Sequence, residues 1–159
     1  MNSVRRRVSI LLLCSSFVLG VTAQAPFADE SPEKSNLREA IFRYMFEHYN
    51  YASHVKVFCI QPEQPQPEGF LLRLAGSKHR VVWASDCELT GPMMAVKEKK
   101  TGESGMRMTV ISIRWIGGQE AEAKVEAFSD GIAANWNTLR IVLKEGRWFV
   151  KSDKIDAVS

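Results

Sequence analysis

Beyond its first 25 residues, this 159-residue chain has no excess charge of either sign. Three of its 21 Lys and Arg, Arg5 to Arg7, fall in that opening segment, which holds no acidic residue. The other 18 basic side chains are matched by 18 acidic ones. A surface that grips nucleic acid needs a cationic patch to meet the phosphates, so this balance argues against a nucleic-acid partner. Histidine is scarce too, with His48, His54 and His79 the full set. His48 and His54 match neither the i,i+4 pair of a helical zinc site nor a Cys-x-x-Cys knuckle, so neither metal nor cofactor is expected. The chain also lacks a Gly-x-Ser-x-Gly elbow, a phosphate loop, a dinucleotide fingerprint and any 20–50-residue repeat. No second apolar run is long enough to span a bilayer, because Arg107 and Arg114 break the best candidate.

What is present begins with an address. Arg5 to Arg7 precede the apolar stretch Val8 to Val21, and Ala23-Gln24-Ala25 supplies a small-x-small site. Positive flank, short apolar run and small residues together read as a secretory signal peptide over 1–25. A retained anchor and a lipidated Cys14 are the alternatives, but the run is short for a span and Leu13 is bulky for a lipoprotein site. The expected product is exported, periplasmic or secreted, with no stable membrane insertion after cleavage.

Residues 26–35 read as a flexible leader and 36–159 as a single α+β domain. Asn36 is a candidate N-cap with Glu39 three residues on. Leu37, Ala40, Ile41, Tyr44, Met45 and His48 recur at helical spacing, predicting an amphipathic helix over about 36–49. Val55 to Ile60 predicts a strand, Gln61 to Gln66 a Pro-containing loop, and Phe70 to Ala75 a short helix. From Met93 onward the pattern becomes a series of hairpins. Apolar facing changes near Val110-Ile111 as a bulge would make it, Gly117-Gly118 and Glu145-Gly146 are turn signals, and Ala121, Ala123, Val125 and Ala127 alternate with charged residues. This predicts a curved antiparallel sheet with the helix packed on one face.

The closing run Thr138 to Val150 resembles the terminal hairpin of NTF2-like (cystatin-like α+β roll) domains. Lys100-Thr101-Gly102 with Gly105, the strand Ile113-Arg114-Trp115-Ile116 and this hairpin also resemble small exported bacterial proteins of unknown function. The resemblance implies an α+β roll, and its enzymes carry Asp, His or Tyr in a pocket between helix and sheet. No catalytic motif matches here, so no catalytic residue is assigned.

Two cysteines remain after cleavage, Cys59 and Cys87, and a lone pair in an oxidising compartment predicts a disulfide. Asp86 and Asp130 fall at strand ends, where turn-forming Asp is commoner than catalytic Asp. His79, between Lys78 and Arg80, reads as solvent-facing loop. Trp136 lies in an aperiodic stretch that reads as a loop, and an exposed Trp there would be a binding feature. Trp136, Tyr44, His48 and Asp130 are the candidate binding residues. The expected activity is non-catalytic binding of a small ligand or an envelope protein. An enzyme with a pocket between helix and sheet, and an inhibitor or immunity-type protein acting through loop 61–69 or 129–137, are the alternatives. Protein recovered from the envelope or medium is expected to begin at Pro26, and an intact mass retaining residues 1–25 would overturn the export reading.

Overall fold

The computed structural model describes residues 31–49, 53–66, 69–130 and 133–158. The expected signal peptide and the leader up to residue 30 lie outside them. The first described element is the helix α1 (Pro32–His48). It starts a turn before the expected Asn36 cap because Pro32 stands in its first turn, where a fixed φ suits the helix and a missing N–H costs nothing. Residues 32–35 are therefore helix, not leader. The expected apolar stripe is real: Leu37, Ile41, Phe42 and Met45 are fully buried.

The chain continues through β1 (Val57–Gln61), α2 (Phe70–Arg73), β2 (Arg80–Trp83), a 3₁₀ turn (Ala84–Asp86), β3 (Cys87–Thr90) and β4 (Ala95–Glu98). Four long strands complete it: β5 (Gly105–Gly117), β6 (Glu120–Asp130), β7 (Ala133–Lys144) and β8 (Arg147–Val158). Six strands form one sheet in the order β2-β1-β5-β6-β7-β8, while β3 and β4 pair as a separate antiparallel ribbon.

This architecture corrects the expected fold. The described residues are mostly β, 55% strand against 20% helix, and do not form an NTF2-like α+β roll with a curved antiparallel sheet. The sheet is mixed, because β1 runs parallel to both neighbours, pairing Val57 with Arg80 and with Gly105. The physical reason lies in the connections. Tight turns join β5 to β6 and β7 to β8 and force antiparallel pairing. Long crossovers through α2 and through the β3–β4 ribbon return the chain in the same direction.

The local signals fared better. The ladder between β5 and β6 shifts register between Val110 and Ser112, where the bulge was expected. Ala121, Ala123, Val125 and Ala127 are buried as the alternation requires. Glu145 and Gly146 both take positive φ, 50° and 74°, which fits a tight hairpin turn. Gly131, of the expected Asp130-Gly131 turn, lies outside the described residues.

One face of the sheet, with Phe58, Ile60, Met108, Val125, Leu139 and Ile141, packs with α1 into the main core. On the other face Val57, Cys59 and Val96 make a smaller cluster with Val82, Cys87 and Phe128. The ribbon covers that face, and a Cys59–Cys87 disulfide fastens it, with Cα atoms 6.3 Å apart. A Cβ on Gly105 would stand 3.0 Å from Cys59 Sγ and 3.2 Å from Val96 Cγ1, so a larger residue would push ribbon and sheet apart by a few tenths of an ångström. Two outcomes follow for urea denaturation. Gly105→Ala should cost about 1–3 kcal/mol by overpacking. Opening the 28-residue disulfide loop should cost about 3.5 kcal/mol on the chain-entropy argument. Unchanged midpoints would overturn this account, as would free thiols in the denatured, unreduced protein.

Candidate functional site

A cleft of ≈ 990 Å³ lies at the C-terminal ends of β1 and β2. Its walls are Ile60 and Gln61 of β1, the 62–66 loop, Leu71 and Leu72 of α2, Trp83 at the end of β2, and Ala84 and Ser85 beyond it. The local sequence explains the opening. Pro62 and Pro65 keep the loop out of the ladder, and α2 has only four residues. So short a helix cannot hide every apolar side chain. Phe70 and Leu74 go into the core, whereas Leu72 stays 78% exposed at the rim. Trp83 stacks on Phe70 at 6.3 Å and forms a rigid wall.

Among the described lining residues Glu63 is the one ionisable side chain. It is bound by Arg38 of α1, whose Nε donates to Glu63 Oε2 at 3.0 Å while Nη2 donates to Oε1. Arg38 is only 4% exposed, so the pair fixes the loop to the helix and neutralises the wall's charge.

A second cleft, ≈ 580 Å³, separates α1 from the β7–β8 hairpin. Glu39, Arg43, Tyr44 and Glu47 line one side, with Arg147, Trp148 and Phe149 opposite. Trp115 packs edge-to-face on Trp148 at 5.5 Å. Behind Tyr44 sits a half-buried polar knot. Tyr44 Oη and Tyr49 Oη donate to Asp153 Oδ2 at 3.1 and 2.8 Å, and Asn137 Nδ2 donates to Oδ1 at 2.6 Å. Three donors from α1, its C-cap and β7 thus converge on one carboxylate of β8. Held by three donors, that carboxylate pins the helix to the sheet.

Tyr44, a candidate binding residue, meets a strand aspartate, Asp153 of β8. Asp130 ends β6, pairing with Ala133 across the ladder. His48 is exposed and stacks on the Tyr44 ring at 3.9 Å, its Nδ1 2.9 Å from the Tyr44 carbonyl oxygen. Trp136 is not in a loop. It lies within β7 opposite Glu126 and Ala157, half-buried and facing away from α1. The apolar alternation fails there because Asn137, 3% exposed, occupies an inward position that usually carries an apolar side chain. His79 is half-buried, not solvent-facing, with its ring edge-on to Phe58 at 4.7 Å. The four candidate binding residues therefore do not assemble into one site, although Tyr44 lines the second cleft.

Family models, curated proteins and solved structures were all compared with the chain. None matches. The NTF2-like resemblance gains no support from them, and the site stands on its own geometry. Sequence reasoning missed Leu71, Leu72 and Gln61 as lining residues. The available signal was an apolar doublet on a helix too short to bury it, next to a loop with two prolines.

Two carboxyls tie the site's framework to pH. Burial pushes Glu39 up, but hydrogen bonds from Arg43 and Arg73 outweigh it and hold the carboxyl below its ordinary 4.5. Arg80, then Thr101, bond Glu98 and lower it as well. For His79 burial acts first, followed by the charges of Lys78 and Lys56, and all three lower it from 6.5. Lowered folded values mean that each group stabilises the fold above its unfolded pKa, and that this is lost as pH falls through the folded value. Stability should therefore fall on acidification, first through the His79 range and then below about pH 4.5. Glu98→Gln should flatten the acid limb of the stability curve, and an unchanged limb would overturn the assignment. At neutral pH, Asp153→Ala should lower unfolding stability by about 2 kcal/mol or more, because it orphans three donors.

Proposed function

We propose that the mature chain is an exported, non-catalytic binding domain that takes a neutral, largely apolar ligand, or such a segment of an envelope protein, in the cleft at the ends of β1 and β2. The cleft itself carries this reading. Its ≈ 990 Å³ suits a small ligand, its walls combine leucines and a tryptophan with glutamine amides, and Glu63, the one ionisable group among its described lining residues, is already neutralised by Arg38. It also opens beyond the carboxyl ends of two parallel strands, where open sheets with parallel strands commonly bind ligands. The paired cysteines are compatible with an exported protein, and no helix among the described residues is long and apolar enough to cross a membrane.

The cleft between α1 and the β7–β8 hairpin favours a second reading, an enzyme using ionisable groups such as Glu47 and Arg147 around Tyr44. Tyr44→Phe abolishing a turnover at unchanged thermal stability would select it.

The binding reading is tested with Nile red, a neutral apolar dye. The protein should enhance its fluorescence, and Leu72→Asp should weaken that binding about tenfold, because burying a leucine is worth roughly 1.5–3 kcal/mol. Leu72 is 78% exposed in the free protein, so the melting temperature should not move. Undiminished dye binding by the variant would reject the cleft.

A further inference from the structure

Building on that reading, we infer that the cleft is one end of a longer groove along the open edge of β2, and that its occupant is an extended acidic-apolar segment of another protein, added to the sheet as a strand. Among the described residues, β2 pairs with β1 on one side, and no strand pairs with its other edge. Val81, Val82 and Trp83 there are only half-buried, as a strand awaiting a neighbour would be.

Two depressions flank that edge. The large cleft meets its end at Trp83, and a smaller one of ≈ 400 Å³ meets its start at His79, Arg80 and Val81. Leu71 and Leu72 line both, so the two adjoin at α2. Alternate residues of an extended chain share one face, so side chains two and four apart would fall opposite Trp83, Val81 and His79. Strand addition of this kind draws affinity from main-chain hydrogen bonds and selectivity from pockets for alternate side chains.

Charge decides what the segment carries. Among the described residues lining the Trp83 end, the one ionisable group, Glu63, is held by Arg38. The His79 end is cationic. Arg80 is held by Glu98 and Glu103, but Lys56 and Lys78 form no ion pair among the described residues, and both act on His79. An apolar side chain suits the first end and an acidic side chain the second. Antiparallel addition, the slightly stronger pairing, places the apolar residue first.

The probe is the terminally blocked peptide acetyl-Leu-Thr-Val-Thr-Glu-amide, titrated into the full mature chain and followed by backbone amide NMR. Binding should shift the amides of residues 80–83 and slow their hydrogen exchange. Replacing the peptide's Glu by Gln, or Lys78 by Glu in the protein, should each weaken binding about tenfold, as expected for one lost charge contact. Methylating the peptide's alternate amide nitrogens should abolish binding. Shifts confined to the cleft, or affinity indifferent to methylation, would overturn strand addition. If Nile red enters the cleft while the peptide leaves β2 unmoved, the edge proposal fails and the binding reading stands. If Nile red also fails to bind, both fall.

Discussion

The rest of the structure depends on β1 being buried on both faces. Val57, Phe58, Cys59 and Ile60 are all sealed from solvent, which an alternating strand at a wet surface would not allow. Such a strand needs two covers. The helix supplies one through Phe42, Met45 and Phe46, and the disulfide-fastened ribbon supplies the other through Val96. Flanking strands must then protect its edges, and β2 and β5 do so in parallel. Removing either cover would expose one side of the same four residues.

That requirement also creates the site. Parallel strands end on the same side of a sheet, so β1 and β2 deliver Gln61 and Trp83 to a common rim. The chain leaving β1 must climb over that rim before returning to β2, and its prolines and short helix leave space beneath them. The Arg38–Glu63 pair then holds the loop at a fixed height above the sheet. Away from this rim the sheet is closed by hairpins, where Arg140 with Glu120 and Arg114 with Glu122 spread paired charge over the solvent face. Such exposed pairs add little stability but leave no net charge there.

What could be read from sequence was local. The Leu37–Met45 stripe, the β6 alternation, the Val110 bulge, the Glu145-Gly146 turn and the Cys59–Cys87 pair each depend on residues close in sequence or on a count of two. Three things were illegible for the opposite reason. The parallel pairing of β1 is set by crossovers, whose course no local periodicity records. The polar knot around Asp153 gathers side chains from distant elements, and its inward Asn137 disguised a strand as a loop. The cleft is space, and space arises from what α2 and the 62–66 loop fail to fill.

The topology also orders the molecule in time. Strands β5 to β8 pair each with its neighbour in sequence, so their contacts close short loops at low entropic cost. The pairing of Val57 with Gly105 closes a far longer one, and it becomes favourable once the meander offers β5 as a template. β1, β2 and the rim between them thus join the sheet through longer loops than the meander does. The cleft thus borders the one strand that a covalent bond, Cys59–Cys87, ties to the ribbon, which couples the support of its rim to the redox state of its surroundings.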